Sequence, residues 1–279
     1  MRIIHSIPEM QEWSSDERSS GNSIGFVPTM GALHQGHAEL FAQSVSENRK
    51  TVVSIFVNTL QFNSVSDLES YPRQLEQDQV IAELQKVDVL FIPDKDEMYP
   101  DGFASSITAG PIAQHMEGLH RPGHFDGVAT VVVKLLNAVN PNVAYFGLKD
   151  FQQLAVIRSV VRDLNIKCEI KAVPTVRNSS GLALSSRNSR LSPEQLEQAQ
   201  IIHALLLEMA QMARIANTSS FAIKDHFTDG MMATSAARVE YVEVVDSHTL
   251  LPATTAQDGT TICVAVWFDD VRLIDNISI

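Results

Sequence analysis

The sequence predicts an α/β fold: a parallel sheet with flanking helices, followed by a smaller C-terminal α+β part. Over the first two thirds of the chain, short runs rich in β-branched and aromatic residues alternate with helical patterns. Strands that alternate with helices pair in parallel. Later in the chain, strand-like runs follow one another after two helical segments, which is typical of an antiparallel sheet packed on helices.

Five strand-like runs define the predicted parallel sheet. In chain order they are SIGFV from Ser23, TVVSIFV from Thr51, VDVLFI from Val87, VAYFG from Val143 and KCEIKAV from Lys167. Before the last run, apolar residues recur at three- and four-residue spacing, which predicts a helix from about Phe151 to Asp163. We expect this helix to cover the sheet.

A polar, turn-rich stretch, VPTVRNSSGLALSSRN, follows the fifth strand. It divides the chain into a predicted domain of residues 1–176 and a smaller one of residues 177–279. Ser192 as a cap and Pro193 in the first turn predict a long helix that continues to about Ala213.

The rest of the second part has a different pattern. A second helix is expected near Phe221 to Ala233, and the runs VEYVEVVD, TTICVAVWF and VRLIDNISI predict a small antiparallel sheet. At the other end of the chain, Ser14 to Ser23 has the composition of an exposed loop.

Composition restricts the class of protein. With 44% hydrophobic and 19% charged residues, the chain resembles a folded globular protein. A formal charge of -12 argues against nucleic-acid binding, which needs clustered Lys and Arg. No apolar run predicts a membrane span or an export signal, so we expect a cytoplasmic protein. Cys168 and Cys263 lack metal-binding spacing, and we interpret both as reduced core residues.

The segment PTMGALHQGH, from Pro28 to His37, carries the clearest chemical signal. It has the order strand, glycine-containing loop and helix, with His34 and His37 at the turn into the helix. A helix start offers unpaired N–H groups and positive dipole, which suits a phosphate. Two histidines there can donate hydrogen bonds to phosphate oxygens and stabilise a departing pyrophosphate.

Three other functions are compatible with parts of the sequence. His115, Glu117, His120 and His124 crowd together as in a zinc hydrolase, although the glycines and proline of GLHRPGHFDG prevent a single helical face. A nucleotidylyltransferase acting on a phosphorylated alcohol or a nucleotide cofactor would share the histidine chemistry. A non-catalytic nucleotide sensor is the alternative among binding proteins.

PTMGALHQGH and six further motifs occur in the order of one known family. The further motifs are VNTLQF, DLESYPR, MYPDG, EGLHRPGHFDGVATVV, FGLKDFQQL and GLALSSRN. Together they resemble the pantoate–β-alanine ligase family of the HxGH nucleotidylyltransferase superfamily, over most of residues 24–191. The resemblance implies a Rossmann-like domain, a smaller C-terminal lid domain and a homodimer.

The resemblance also implies a two-step reaction in pantothenate and coenzyme A biosynthesis. Pantoate attacks the α-phosphate of ATP, which gives pantoyl adenylate and pyrophosphate. β-Alanine then attacks the acyl carbon, which releases AMP and pantothenate. Both steps depend on positioning and charge stabilisation. The implied partners are therefore pantoate, β-alanine and ATP, the last with Mg²⁺.

The family's catalytic and nucleotide-binding positions correspond to residues of this chain. By resemblance, His37 is the proton donor, His34 lies beside it on the phosphates, and Lys149 is a point charge at the phosphates. The implied nucleotide-binding residues are Met30, Gly31, Ala32, Leu33, His34, Gln35, Gly36, His37, Gly147, Leu148, Lys149, Asp150, Val176, Leu184, Ser185, Ser186 and Arg187.

The substrate and metal positions follow in the same way. Gln61 and Gln153, with Asn58, match the residues that hold pantoate, whose hydroxyl and carboxylate suit an amide that both donates and accepts. Asp78 is the candidate to help bind Mg²⁺, which commonly takes one or two carboxylates plus phosphate oxygens.

Four positions depart from the family pattern. Thr59 replaces a proline after Asn58, which is expected to loosen the loop that presents Gln61. In the second part, the other three replacements are Asn178 and Ser180 for acidic residues and Arg190 for a tyrosine. We expect these changes to affect turnover and affinity rather than reaction type.

Overall fold

The structure is a computed structural model that describes residues 1–215, 218–234 and 237–279. By its internal contacts the chain forms two compact units. The first unit comprises Met1–Leu148 and Val156–Pro174, and the second comprises Lys149–Ala155 and Thr175–Ile279. The predicted domain boundary after residue 176 and the lid role of the second domain stay predictions.

The first unit is built on a six-stranded parallel sheet. Its strands are β1 (Arg2–Ile4), β2 (Ile24–Thr29), β3 (Lys50–Ile55), β4 (Val89–Phe91), β5 (Val143–Gly147) and β6 (Glu169–Val173). Their order is β1-β4-β3-β2-β5-β6, with every neighbouring pair parallel. This confirms the predicted parallel sheet, although β1 was not predicted because three residues are too short to show a pattern.

Helices flank this sheet. In the described residues, the α-helices of the first unit all come before β6 in the chain, and the last of them belongs only partly to this unit. They are α1 (Ile7–Ser19), α2 (Gln35–Glu47), α3 (Val65–Glu69), α4 (Leu75–Leu84), α5 (Lys95–Met98), α6 (Met116–His120), α7 (His124–Val139) and α8 (Phe151–Asp163). Helix α8 has the predicted bounds. The prediction of a loop from Ser14 to Ser23 was wrong up to Ser19, because the cap of Ser6 on the Glu9 N–H starts a helix that buries Met10 and Ser14. Residues 20–23 follow the helix as a turn and an irregular stretch.

The sheet opens at its carboxyl edge beside β2. Strand β2 pairs with β3 at six positions from Ile24 to Thr29, but with β5 only at Gly25 and Phe26. Pro28 lies beyond that point and has no N–H to donate to a neighbouring strand. The strands therefore separate where the strand order reverses, which is the place where open α/β sheets bind ligands.

The second unit contains helices and antiparallel strands. They are α9 (Pro193–Ala199), α10 (Ile201–Ile215), β7 (Thr218–Ser219), α11 (Ser220–Thr234), β8 (Arg238–Asp246), β9 (Thr255–Ala256), β10 (Thr260–Phe268) and β11 (Val271–Ser278). The main sheet has the order β11-β10-β8 and is antiparallel, as predicted. It packs on buried apolar residues of the helices such as Leu206, Met209 and Phe227.

Two further predictions, one of a single long helix and one of two buried cysteines, were partly wrong. The single helix expected from Pro193 to Ala213 is two helices, because the Gln200 N–H bonds to the Glu197 carbonyl and tightens the turn. Cys263 is buried as predicted, but Cys168 is only half-buried and precedes β6. Burial raises the pKa of the Cys168 thiol to about 12, so the thiol stays protonated.

Within the described ranges, no helix combines the length and apolar character needed to cross a membrane.

A polar network joins the C-terminal end of α2 to the sheet. Glu47 Oε2 accepts hydrogen bonds from Lys171 Nζ at 2.8 Å and from the Tyr145 hydroxyl at 2.7 Å. These bonds lower the pKa of Glu47 to about 2 from its ordinary 4.5, the Lys171 bond contributing most. The same network, with burial as the larger cause, raises the pKa of Tyr145.

This network predicts a pH-dependent effect of Glu47→Gln. Because the folded-state pKa is lowered, the stabilisation is present above pH 4.5 and is lost as the pH falls towards 2. At pH 7 we expect a loss of about 1 kcal/mol, or about 2–4 °C in Tm. Thermal unfolding from pH 7 to pH 3 should show this difference shrinking. Glu39→Gln, on the same helix, is the control; a Glu47→Gln difference that is constant with pH would contradict the network.

Candidate active site

Two histidines cap helix α2 at the predicted phosphate segment. His34 is the N-cap residue, and its Nδ1 accepts a hydrogen bond from the Gly36 N–H at 3.1 Å. In return, Nδ1 of His37 accepts from the His34 N–H at 3.2 Å. The two imidazoles take the places that Ser or Thr and Glu or Gln have in an ordinary capping box.

These bonds decide which ring nitrogen carries a proton. A backbone N–H only donates, so each Nδ1 must accept, and in the neutral ring the proton lies on Nε2. The ring centroids of His34 and His37 are 4.2 Å apart, at an interplanar angle of 44°. The arrangement therefore holds two Nε2–H donors on neighbouring, oriented rings.

A buried carboxylate holds the loop between β2 and α2. Asp78, in α4, is 1% exposed. Its Oδ2 accepts the Ala32 N–H at 3.0 Å and its Oδ1 accepts the Leu33 N–H at 2.7 Å. The loop turns through Gly31 and Ala32, which are both left-handed with φ of 81° and 50°. Left-handed backbone costs about 1–2 kcal/mol at alanine, and the bonds to Asp78 offset this strain.

The surroundings of Asp78 do not form a metal site by themselves. Both carboxylate oxygens already accept backbone N–H groups, and the side chain is buried. In the part of the chain that the structure describes, no three His, Cys, Asp or Glu side chains form a group that could hold a metal ion. The magnesium contact of Asp78 stays a prediction, and no step of the chemistry is assigned to it.

A directional hydrogen-bond relay sets the orientation of Gln61. The Tyr99 hydroxyl donates to Asn58 Oδ1 at 2.6 Å, and Asn58 Nδ2 donates to Gln61 Oε1 at 2.9 Å. Burial raises the pKa of Tyr99, so its hydroxyl keeps the proton that it donates. With Oε1 in use, Gln61 directs its amino group outward from the relay, towards Met30 Sδ at 3.1 Å. Gln61 therefore presents N–H donors.

The Gln61 backbone is fixed by the HRPGH segment. The Gln61 carbonyl accepts hydrogen bonds from His124 Nδ1 at 2.7 Å and from Arg121 Nη2 at 3.3 Å. Arg121 also bonds to His124 Nε2 at 3.2 Å, and because arginine only donates, that nitrogen accepts. His124 therefore positions the Gln61 backbone, whereas in a zinc hydrolase it would be expected to bind the metal.

Close packing against α7 completes this support. A Cβ at Gly127 would lie 2.4 Å from the Leu60 carbonyl oxygen and 2.8 Å from the Gln61 nitrogen. Only glycine allows the helix to approach the 3₁₀ turn of Thr59–Gln61 so closely. The Leu60 N–H is in turn bound by Asn58 Oδ1 at 3.3 Å. The turn has these contacts although Thr59 stands where the family has proline.

The second unit contains the other predicted nucleotide segments. Lys149 Nζ lies 3.7 Å from Asp150 Oδ1, and the Lys149 side chain is 19% exposed. The Leu184 N–H donates to the Val176 carbonyl at 2.9 Å. Ser185 caps the 3₁₀ helix Ser186–Arg190, its hydroxyl accepting the Arg187 N–H at 3.2 Å.

The remaining predicted positions are placed as follows. Gly147 ends β5 with open space where a side chain would lie, and Leu148 follows it. Gln35 is exposed and bonds to Glu39. Gln153 is half-buried in the first turn of α8.

The three departures in the second unit all have hydrogen-bond or ion-pair partners. Asn178 Oδ1 accepts the N–H groups of Ser180 at 3.1 Å and Leu182 at 2.9 Å, and the Ser180 hydroxyl at 2.8 Å. An asparagine therefore organises this turn. Arg190 forms an ion pair with Asp270 at 2.9 Å.

Sequence reasoning missed the supporting roles of Tyr99, Arg121 and His124, and the loop contact of Asp78. Tyr99 lies in the MYPDG motif, and Arg121 and His124 lie in HRPGH. The motifs therefore contained these residues but did not show which contacts they make. Their contacts to Gln61 and Asn58 join residues 41 to 63 positions apart, which local patterns cannot reveal.

The opened parallel sheet and the histidine-capped helix at its opening define a Rossmann-like α/β protein of the nucleotide-binding class. Comparison with known proteins gives the particular family. The profile of the Pantoate-beta-alanine ligase family matches residues 2–278. The chain belongs to this family, and it is therefore an acid–amino-acid ligase, an enzyme that forms a C–N bond.

Individual relatives agree over the whole chain. Pantothenate synthetase of Aquifex aeolicus is 45% identical over 98% of this chain and 97% of its own length. The crystal structure of pantothenate synthetase from Thermus thermophilus has a TM-score of 0.93 at 43% identity, covering 100% of this chain and 99% of that one.

The crystal structure of a third relative contains ligands. Pantoate-beta-alanine ligase from Francisella tularensis, complexed with beta-gamma ATP and β-alanine, has a TM-score of 0.83 at 38% identity, covering 100% of this chain and 97% of that one. The predicted resemblance is confirmed. Family membership excludes the zinc-hydrolase and non-catalytic sensor alternatives.

The contacts of Asp78 predict that it stabilises the loop between β2 and α2. Asp78→Ala leaves two buried N–H groups without their acceptors, and we expect a loss of about 2–4 kcal/mol in the free energy of unfolding. Asp78→Asn should not restore it, because an amide can accept only through one atom. Urea unfolding measures both variants, with Glu76→Gln on the same helix as control. Wild-type stability of Asp78→Ala, with only a changed Mg²⁺ requirement, would instead favour a metal ligand.

Proposed function

We propose that this enzyme condenses pantoate with β-alanine in an ATP-dependent reaction, through a pantoyl-adenylate intermediate. The observation that carries the proposal is the reciprocal capping of α2, which orients the Nε2–H groups of His34 and His37 at the opening of the sheet. The complex of the Francisella relative with an ATP compound and β-alanine supports the choice of ligands.

In the first step, a pantoate carboxylate oxygen attacks the α-phosphorus of ATP. A new P–O bond forms, the bond to the β-phosphate oxygen breaks, and pyrophosphate leaves with the electron pair. His34 and His37 donate Nε2–H bonds to phosphate oxygens as charge develops on the leaving group. Lys149 supplies a positive charge, and Ser185, Ser186 and Arg187 hold the triphosphate.

In the second step, the β-alanine amine attacks the acyl carbon of the adenylate. The C–N bond forms, the bond between the acyl carbon and the phosphate oxygen breaks, and AMP leaves as the amine loses a proton. The product is pantothenate. We propose that both steps occur at one site, because the adenylate is an activated acid that water would destroy.

Gln61 is proposed to select the acid substrate. Its relay presents N–H donors, which suit the carboxylate and hydroxyl oxygens of pantoate. Gln153 is proposed to bind the same substrate from α8. Magnesium is proposed to enter with ATP, bound largely by phosphate oxygens and water. A homodimer in the cytoplasm remains the expected state, and sedimentation tests the dimer.

The proposed role of the histidines predicts different effects of two substitutions at His37. His37→Ala should slow pyrophosphate release with pantoate, ATP and Mg²⁺ by about 10²–10³-fold, because an oriented donor is lost. It also removes the capping bond to the His34 N–H. His37→Gln retains an N3 acceptor of the usual capping box, so we expect wild-type Tm but the same low activity.

Lys149→Ala should give a comparable fall in this first step, with folding intact. Quenched single-turnover assays without β-alanine measure adenylate and pyrophosphate together. An active His37→Gln enzyme, or parallel losses of Tm and activity in all three variants, would contradict the catalytic roles. If the wild-type enzyme released no pyrophosphate in the presence of pantoate, the proposed function itself would be wrong.

The relay predicts a substrate-binding effect at Tyr99. Tyr99→Phe keeps the ring but removes the donor to Asn58, so Gln61 loses its fixed orientation. We expect the KM for pantoate to rise about 5- to 10-fold, with kcat changed much less, and Gln61→Ala to raise it further. Tyr145→Phe is the matched control, since it removes another hydrogen-bonded, buried hydroxyl outside the relay. An equal rise in KM in Tyr145→Phe, or none in Tyr99→Phe, would contradict the relay.

A further inference from the structure

The last strand, β11, contains two neighbouring polar residues that the proposed mechanism does not use. Asp275 and Asn276 lie in the run VRLIDNISI and pair with Val264 and Cys263 of β10. Successive side chains of a strand point to opposite faces. Asn276 contacts the segment of Lys149, whereas Asp275 contacts Arg177, which precedes the segment Ser185–Arg187 in the chain.

Asp275 is buried in an ion pair with Arg177. Arg177 Nη1 donates to Oδ2 at 2.6 Å and Nη2 donates to Oδ1 at 2.9 Å, while the Asp275 side chain is 3% exposed. Oδ1 also accepts the Asn276 N–H at 2.8 Å. This bidentate geometry fixes both the position and the plane of the Arg177 guanidinium.

Arg177 in turn holds the turn that leads to the segment Ser185–Arg187. Its Nη1 donates to the Gly181 carbonyl at 3.1 Å, and its backbone forms a bridge with Ala183. Next to this bridge, the Leu184 N–H bonds to Val176. The position of the Ser185–Arg187 segment is therefore set from Asp275 through a continuous chain of contacts.

Asn276 holds the other segment. Its Nδ2 donates to the backbone carbonyl of Lys149 at 2.9 Å. Because this bond is to the main chain, it fixes the point from which the Lys149 side chain extends. One strand, paired along its length with β10, thus holds both the lysine segment and the serine–arginine segment.

We propose that Asp275 and Asn276 are positioning residues that fix the distance between Lys149 and the segment Ser185–Arg187. The inference rests on the proposed function, in which both segments act on the same triphosphate. Displacement of a charge by about 1 Å costs on the order of 10²-fold in rate, so a fixed spacing serves the first step. The second step, attack of the amine on the acyl carbon, depends on this spacing much less.

The test at Asn276 compares two substitutions in the full-length enzyme. Asn276→Ala removes the donor, and we expect kcat/KM for ATP to fall about tenfold. Asn276→Asp has the shape of asparagine but directs an oxygen at the Lys149 carbonyl, so we expect activity no higher than that of the alanine variant. If packing alone mattered, the aspartate variant would behave as wild type, which would overturn the proposal.

Separate single-turnover rates give the decisive readout. Adenylate formation should slow about tenfold, whereas the β-alanine-dependent decay of adenylate should change less than about twofold. A loss caused by general unfolding would instead lower the amplitudes of both steps, through the fraction of active enzyme. Ser278→Ala, which removes a hydrogen-bonding hydroxyl further along β11, is the control and should leave both rates unchanged.

A second comparison uses two partly buried ion pairs to which β11 contributes a residue. Asp275→Asn weakens the pair with Arg177, whereas Glu240→Gln weakens the pair between Arg272 and Glu240. Both variants should lower Tm, but only Asp275→Asn should slow adenylate formation, by about tenfold or more. Equal slowing in both would overturn the proposal. An inactive wild-type enzyme would refute the proposed function instead, so the two failures are distinguishable.

Discussion

The buried carboxylate of Asp78 is the contact on which the arrangement of the first unit's site depends. Its two oxygens accept the N–H groups of Ala32 and Leu33, in a loop that must pass through left-handed backbone before α2 can begin. Without an acceptor at this place, two N–H groups would be buried without partners. The loop then delivers His34 directly to the first turn of α2.

Several side chains of the candidate site use one polar atom for structure, and this contact fixes the direction of the opposite polar atom. In His34 and His37, Nδ1 caps the helix, which leaves the proton on Nε2. In Gln61, Oε1 is bound by Asn58, and the amino group is directed towards Met30 Sδ. This division gives each side chain a fixed direction of donation, and fixed donors need no reorganisation when charge develops on a substrate.

Much of the fold and part of the candidate site could be predicted from the sequence. The parallel strands follow from alternating apolar runs, α8 follows from its apolar spacing, and the position of His34 and His37 at the start of α2 follows from two histidines after a strand and a glycine-containing loop. Errors fell where local patterns are weak. Strand β1 has three residues, the composition of Ser14–Ser23 resembles a loop, and the break at Gln200 interrupts a helical pattern without glycine or proline.

The sequence by itself determined the fold class and the family, because these depend on periodicity and on motifs of contiguous residues, and the same motifs predict which residue types meet phosphate. Only the tertiary structure decided which atoms those residues offer. That His37 directs Nε2 away from the backbone, that Tyr99 orients Gln61 by its bond to Asn58, and that Asn276 holds the Lys149 carbonyl depend on contacts across 3, 41 and 127 positions. Hydrogen-bond direction depends on distance and angle between such atoms, and no sequence pattern contains either.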